Sequence, residues 1–532
     1  MLGSRPFLNN FIKKADQSYT HQIFRAAPQG GLKPFVFSTE KTYADKIFSE
    51  QLQQFWCLTQ EGQVDCYDRK GDWVHTIVSD QKMHFGVLYA GVFDVQGGFW
   101  FVHDKIAHRI QATPNPFQTL LTDGASKAVV PGKRINRNVS CRGITKSIQG
   151  ALLVACNYGL LELHPEKDSL VVLEDQYPIS EGVFVNANKL SVWYEETEGT
   201  LWWTAMGSNL FKTNLEADRT LDFGYLDDKI RPIRRHWSIH RDETGKLWLG
   251  HNRGLSFLDA STGKLELLNQ YHGFDELRAH TVYDFHENEV GLWLASSSGL
   301  YLMDAEKGIV KRYSKDTKTF PHNHLYHIHE DRAGVFWLGT KGGGLIRWNP
   351  KDHSSEQYTL ADGLNDNTIY GIYEDDFGRL WMSSDNGIMQ FDKKSKRIIA
   401  YTVYNGLPHK EFNAISHHQD QEGTLYFGGQ NGLVAFHPKD FKNPEKSTFT
   451  LKITQVQTVN ARSESMDITH QVHGEDAYQL SIHPPNISTT VDFALLDYRN
   501  PSLNNYAYKL EGAHYSQDAW QAIYPDRVNL GG

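Results

Sequence analysis

Short runs of alternating apolar and polar residues, broken by acidic and glycine-bearing turns, set the pattern of this chain. Thr368-Ile369-Tyr370-Gly371-Ile372-Tyr373 alternates and ends in the acidic turn Glu374-Asp375-Asp376-Phe377-Gly378. Leu380-Trp381-Met382-Ser383 follows, then the turn Asp385-Asn386-Gly387, then Ile388-Met389-Gln390-Phe391. A weaker fourth run lies near Ile398-Ile399-Ala400-Tyr401. Alternation of period two bounded by Asp, Asn and Gly predicts four antiparallel strands with tight turns. The Asn-Gly pair predicts a two-residue hairpin with φ > 0 at both positions.

The unit recurs. Gly245-Lys246-Leu247-Trp248-Leu249-Gly250, Gly291-Leu292-Trp293-Leu294-Ala295, Gly334-Val335-Phe336-Trp337-Leu338-Gly339 and Gly378-Arg379-Leu380-Trp381-Met382-Ser383 repeat one phrase. Gly423-Thr424-Leu425-Tyr426-Phe427-Gly428 swaps the indole for a phenol. The steps from 248 to 293, 337, 381 and 426 are 45, 44, 44 and 45 residues. A fixed period of that size with several short strands is the mark of a β-propeller blade. More worn copies put ring positions at 56, 100, 153 and 202, making nine units in all.

The last seven, from about Leu120 to Pro438, would close a seven-bladed ring, and the first two would belong to another propeller. A single ring of nine or ten blades is the competing arrangement. In either case the ring residue of the second strand should lie against the neighbouring blade. After Pro438 the period stops. Lys439 to Thr450 reads as a linker, and alternation returns in Leu451-Lys452-Ile453-Thr454, Gln479-Leu480-Ser481-Ile482 and Thr490-Val491-Asp492-Phe493-Ala494-Leu495. This suggests a small β-sandwich. The expected fold is all-β: a partial propeller over 1–119, a seven-bladed β-propeller over 120–445 and an Ig-like β-sandwich over 446–532.

Composition narrows the function class. Apolar residues are 40% and charged residues 22% of the 532, and aromatics reach 12% because nearly every repeat carries one. The formal charge is −9, with no basic run or stripe, which argues against nucleic-acid binding. No apolar run approaches the ~20 residues that cross a bilayer. The opening Met1-Leu2-Gly3-Ser4-Arg5-Pro6-Phe7 lacks a basic-then-apolar signal pattern. No Gly-x-Ser-x-Gly elbow or P-loop occurs, so no catalytic residue, cofactor or metal is expected. His322, His324, His327 and His329 invite a metal, but no Cys or carboxylate is obviously paired with them. The turn at Glu61-Gly62 is expected to place Cys57 opposite Cys66, and the turn at Ile148-Gln149 to place Cys141 opposite Cys156. Both pairs are therefore disulfide candidates.

The phrase Glu330-Asp331-Arg332-Ala333-Gly334-Val335-Phe336-Trp337-Leu338-Gly339-Thr340, with its lead-in Asp362-Gly363-Leu364-Asn365-Asp366-Asn367, resembles the two-component regulator propeller repeat. Phe412-Asn413 and Leu425-Tyr426-Phe427-Gly428-Gly429-Gln430-Asn431-Gly432-Leu433 resemble the closing blade of such proteins. The C-terminal part, with Tyr498, Tyr506, Tyr508 and Trp520, resembles the three-Y domain that follows the propellers in the same family. The resemblance implies a periplasmic sensor that feeds a histidine kinase, often a hybrid one, or a diguanylate cyclase. It also implies recognition of a small-molecule or oligosaccharide ligand, often a polysaccharide breakdown product, and a homodimer in the full receptor. With no kinase box, cyclase motif or membrane helix, the chain is expected to be a sensor piece cut at both ends, reaching the membrane only through a missing downstream helix.

Propellers bind ligands over the central channel. In the loops entering the innermost strands, Asn138, Asn188, Asn323, Asn367 and Asn413 recur 13 to 15 residues before the ring position. Such amides also serve turns. Residues that break the pattern, Arg234, Arg235, Arg278, His280 and His324, are stronger ligand candidates, because a ligand breaks the ring's symmetry. Loops after the Trp strand add His251, Asn252, Arg253, Lys341, Asp385 and Gln430. A lyase or glycosidase would instead show converging carboxylates or a His/Tyr pair over the channel. A protein-interaction scaffold would show apolar patches on one face.

Overall fold

In the computed structural model, the described residues are 7–13, 19–26, 32–34, 45–49, 53–58, 64–77, 91–93, 99–103, 106–110, 116–121, 139–164, 169–173, 189–207, 209–215, 219–224, 235–268, 274–304, 307–316, 320–441, 451–460, 462–471, 486–495, 506–508, 511–512, 515–516, 521–523 and 527–531. Strands dominate them, with only short 3-10 turns between. The nearly all-β fold follows the alternation in the sequence.

Two compact units are present: residues 1–114 with 496–501, and residues 115–495 with 502–532. The first holds three antiparallel sheets, spanning Phe7–Pro34, Asp45–Ile77 and Gly91–Ile110. The earliest of these carries no Gly-x-Leu-Trp phrase, which is why only two units are legible there. Trp56 is fully buried, with its ring 5.8 Å from that of Phe99 in the following sheet.

In the second unit six four-stranded sheets follow one another from Cys141 to Tyr401, each with its strands in sequence order. A seventh sheet combines Phe412–Gln419, Leu425–Gly429 and Leu433–Phe436 with an outer strand from far upstream, Gln118–Leu120. The innermost strands touch in succession, and that of the seventh sheet meets that of the first, so the run closes on itself. These sheets are numbered blades 1 to 7 below. The seam is tied by Lys146 of blade 1, which pairs with Asp420 at 2.7 Å and Glu422 at 2.8 Å in blade 7. Asn413 Nδ2 crosses the same seam to Cys141 O at 2.5 Å.

The ring residue of each blade is buried in the face of the next. Trp202 lies among Leu247 and Leu249, Trp248 among Val282, Leu292 and Leu294, and Trp293 among Leu325, Ile328 and Phe336. Trp337 lies among Ile369, Ile372 and Met382, and Trp381 among Phe412, Leu425 and Phe427. Tyr426 completes the cycle among Leu152, Val154 and Leu161 of blade 1. Blade 1 itself offers Leu153, packed with Tyr194, Leu201 and Trp203. A buried indole removes ~150–250 Å² from water, about 4–6 kcal/mol per blade as an upper bound at ~25 cal/mol/Å².

The acidic turn has a second duty. Asp331 Oδ1 accepts from the amides of Ala333 and Val335, closing the turn, while Oδ2 accepts from Trp337 Nε1 at 2.9 Å. Asp242 holds Trp248 at 2.7 Å and Asp375 holds Trp381 at 2.8 Å in the same way. Asp420 accepts from Tyr426 OH at 3.1 Å. Where the turn differs, Glu195 and Asn288 reach Trp202 and Trp293 instead. The glycine after the next turn is also explained. At Gly387 (φ 104°) an added Cβ would run into Tyr401 O, and at Gly344 (φ 76°) into Tyr358 O. The expectation of positive φ at both Asn386 and Gly387 is corrected, because only Gly387 adopts it.

The C-terminal residues include a four-stranded sheet, ordered Ser465–Asp467, Leu451–Asn460, Asn486–Leu495, Arg527–Gly531. Tyr506–Tyr508 pairs with Gln521–Ile523. Tyr498, Trp520 and most of the expected linker fall outside the described residues.

One cysteine expectation is overturned. Trp56 stands opposite Cys66, and Cys57 opposite Asp65. A one-residue slip from the expected register sends Cys57 and Cys66 to opposite faces of the sheet, so they cannot be bridged in place. Cys141 does stand opposite Cys156. All four are buried free thiols.

Two outcomes follow. Trp337→Ala is expected to cost about 3–5 kcal/mol. Asp331→Ala should cost about 1–3 kcal/mol by stranding the indole N–H, and Asp331→Asn less, since it keeps an acceptor. Urea midpoints at constant m value check this. Peptide mapping of the unreduced, denatured protein should find Cys57 and Cys66 as separate thiols, and a peptide joining them would refute the register.

Candidate functional site

Each innermost strand breaks register in its first residues. The shift falls at Cys141/Gly143, Lys189/Val192, His236/Ser238, Val282/Asp284, Leu325/His327, Ile369/Ile372 and Phe412/His417 in blades 1 to 7. A bulge leaves a residue outside the ladder and re-aims its side chain. Here the bulges fall at the end where the chain enters the innermost strand, beside the turn that follows the Trp strand.

The bulged residues of four consecutive blades form an aromatic arc. Trp237 and Tyr283 have ring centroids 5.2 Å apart, Tyr283 and Tyr326 4.8 Å, and Tyr326 and Tyr370 5.1 Å. Blade 1 has Arg142 in the same bulge, and blade 2 has Leu190 and Ser191. His324 packs on Tyr283 at 5.2 Å and its Nε2 lies 3.1 Å from the Tyr283 hydroxyl. The Arg235 guanidinium lies over Trp237 at 5.8 Å, and Tyr370 OH donates to Asp385 at 2.7 Å. Trp237 Nε1 and Asn252 Oδ1 are buried and lack a hydrogen-bond partner among the described residues. A channel cavity of about 530 Å³ has Trp237, Tyr283 and Tyr326 in its wall, with Lys146, Glu196 and Glu422 toward the acidic turns.

The structure thus brings Arg235, His324 and Asp385 together with aromatics that sequence reasoning had not singled out. The signal for those aromatics was present in the second residue of the innermost strand, but a bulge is invisible to an alternation pattern. Other candidates lie elsewhere or are engaged. Asn367 Oδ1 accepts from Leu360 N at 2.8 Å and Asn323 Oδ1 from Lys315 N at 2.6 Å, both closing turns. Within blade 7, Gln430 Nε2 donates to Asn413 Oδ1 at 3.2 Å, and Asn413 Nδ2 is spent on Cys141 O across the closure seam. His251 is fully buried, with Nε2 2.7 Å from Ser256 Oγ and Nδ1 accepting from Arg253 N. Burial pushes its imidazole well below the ordinary histidine range. Arg253, Arg278 and Lys341 are exposed loop residues, and His280 is half-buried. Arg234, Asn138 and Asn188 lie outside the described residues.

The histidine cluster is divided among inter-blade ties. His240 meets Glu287 at 3.0 Å, His286 meets Glu330 at 2.7 Å, and His329 meets Glu374 at 3.9 Å, each one blade on. His329 holds the Glu374 carboxyl down at about 2. His327 lies 3.7 Å from Asp284, and its Nδ1 accepts from Ile372 N at 3.2 Å. Tyr373 OH and His417 Nδ1 are 2.8 Å apart. Burial raises the Asp284 carboxyl to about 7 and lowers His417 and His236 to about 4.

Residues 363–386, a stretch running from a loop through the Trp strand of blade 6, match the family model for the two component regulator propeller. That stretch of blade 6 is therefore similar to the two-component regulator propeller repeat. The chain is similar to Histidine kinase P4 of Formosa agariphila, 24% identical over 336 residues that cover 60% of this chain and 24% of the relative. The match therefore spans about a quarter of that protein's length. It also resembles the extracellular domain assigned to a hybrid two component system of B. thetaiotaomicron, at 18% identity and TM-score 0.62, over 98% of this chain and 68% of that one. A second such domain from that organism, assigned to a one component system, aligns at 15% identity and TM-score 0.48 over 100% of this chain and 70% of its own. At 18% identity and TM-score 0.62 the first of these supports the fold alone. Among the described residues no helix is long and apolar enough to cross a membrane.

The titrating groups predict opposing pH effects. His236 and His417 stay neutral when folded but protonate near 6.5 when unfolded, so their share of stability is lost as pH falls from about 6.5 toward 4. Asp284 keeps its proton when folded up to about 7 but ionises near 3.8 when unfolded, so its share is lost as pH rises across that window. Asp284→Asn should therefore raise the melting temperature more at pH 8 than at pH 4.5, and equal shifts in thermal melts at both would contradict this.

Proposed function

We propose that this chain is the extracytoplasmic, periplasmic-side sensing region of a bacterial signal-transduction receptor, and that its ligand is a carbohydrate-derived small molecule. The observation that carries this is the arc of Trp237, Tyr283, Tyr326 and Tyr370 on one side of a channel cavity. Flat aromatic faces with a few polar groups at their edges suit the apolar faces and hydroxyls of a sugar. The two-component regulator propeller repeats and the similarity to a histidine kinase support a relay to a downstream kinase or cyclase. In this proposal residues 120–445 hold the ligand, 446–532 act as a three-Y-like sandwich that passes the change on, and the full receptor works as a homodimer. Such coupling requires two states that the ligand binds unequally.

A second reading, a propeller lyase, draws on the Tyr373–His417 pair and Asp284. Against it, His417 packs on the Gly371 backbone, and His327 is committed to a main-chain amide and to Asp284. These groups act as ties between innermost strands. Exposed Ile148, Val290 and Phe377 tip the acidic-end turns of blades 1, 4 and 6. They are separated by charged turns rather than joined in the apolar patch that a scaffold needs.

A glycan-panel thermal-shift screen tests the proposal. A true ligand at ~100 times its Kd should stabilise by about 2.7 kcal/mol. Tyr326→Ala should abolish that shift in a protein that still melts cooperatively, Tyr326→Phe, which keeps the ring, should retain most of it, and product analysis should find the sugar unchanged. A ligand whose shift survives Tyr326→Ala would move the site away from the arc.

A further inference from the structure

The bulge level of the ring is chemically lopsided. Blades 3 to 6 present Trp237, Tyr283, Tyr326 and Tyr370, with Arg235 over Trp237 at the entry to blade 3, whereas blade 1 presents Arg142. Between them, blade 2 contributes Leu190 and Ser191, and the Ser191 hydroxyl is spent on His236 O at 2.8 Å. Arg142 is half-buried and Arg235 exposed. Neither makes an ion pair among the described residues. Burial, and after it the like charge of Arg235, lowers Arg142 from the usual arginine range. Asp385 sits at the far end of the arc, on Tyr370.

Two cations held in range of each other without a counter-charge are unfavourable unless an anion completes the site. Arginine's planar fork suits a carboxylate or a sulfate. Beside Arg235, Trp237 Nε1 and Asn252 Oδ1 supply a buried donor and a buried acceptor with no partner among the described residues. A ligand with an acidic substituent and neighbouring hydroxyls would answer all four groups while resting on the aromatic arc. We propose that Arg142 and Arg235 form a two-guanidinium clamp, so that the sensed ligand is an acidic saccharide. This rests on the sensing role proposed above and narrows the ligand class. A uronate carboxylate and a sulfate ester share the required chemistry.

The test is calorimetric titration of the full chain with three disaccharides: one bearing a uronic acid, one bearing a sulfate ester, and an uncharged one. Arg142→Gln, Arg235→Gln and Tyr326→Ala are compared with wild type, each first checked for an unchanged melt. At least one acidic disaccharide should bind about tenfold or more tighter than the uncharged one. Each Arg→Gln change should remove about tenfold of that binding and flatten its salt dependence, leaving uncharged-sugar binding unaltered. Preference between carboxylate and sulfate identifies the source of the anion. Equal binding of charged and uncharged sugars, untouched by both Gln variants but lost in Tyr326→Ala, would overturn the clamp and leave the sensor standing. Binding of none of the three would overturn the sugar site itself.

Discussion

The whole ring rests on one arrangement, an indole gripped by the acidic turn of its own blade and buried in the face of the next. The carboxylate fixes the orientation of the ring through Nε1, and the neighbouring sheet removes its faces from water. Neither half suffices alone. Without the acceptor, a donor would be buried unpaired, and without the neighbour, a large apolar face would be left wet. Because each blade supplies an apolar ring-position residue (Trp in blades 2 to 6, Leu153 in blade 1, Tyr426 in blade 7) that its successor buries, stability accumulates around the ring, and the last blade must find the first. The outer strand Gln118–Leu120, borrowed from upstream, and the Lys146 and Asn413 ties meet that need.

Such regular packing confines variation to the ends of the channel. Most repeats agree at Asp331, Trp337 and Gly344 or their equivalents, where nearly every blade meets the same physical requirement. At the bulges no shared requirement operates, and blades diverge: Arg142, Ser191, Trp237, Tyr283, Tyr326 and Tyr370 occupy related places with unrelated chemistry. A ligand site needs that freedom, because no small molecule has the symmetry of the ring.

This division also explains what the chain disclosed before its structure was known. Strand alternation, the 44–45-residue step and the lodging of Trp in the next blade are local or periodic, so they were legible. Symmetry breaking pointed to Arg235 and His324, and the loops after the Trp strand to Asp385, but neither pointed to the aromatics beside them, since a bulge shifts the facing of a residue without changing the apparent pattern. His251 misled for a related reason. It breaks the repeat, but does so to fill a buried turn against Ser256. The Cys57–Cys66 expectation failed on a slip of one residue, the smallest error that exchanges the two faces of a sheet.

The packing rule carries an electrostatic consequence. Since an acceptor for the ring residue is required in the first turn of nearly every blade, Glu195, Asp242, Asp331, Asp375 and Asp420 all gather at one end of the channel, joined by Glu196, Glu243, Asp376 and Glu422. Arg142, Arg235, Arg253 and Lys341 lie toward the other. The sequence charge of −9 hides this polarity, because it sums two ends that a ligand meets separately. An anion would be repelled from the turns that hold the indoles, and at the bulge end it would meet Arg142 and Arg235 on one side and Asp385 on the other.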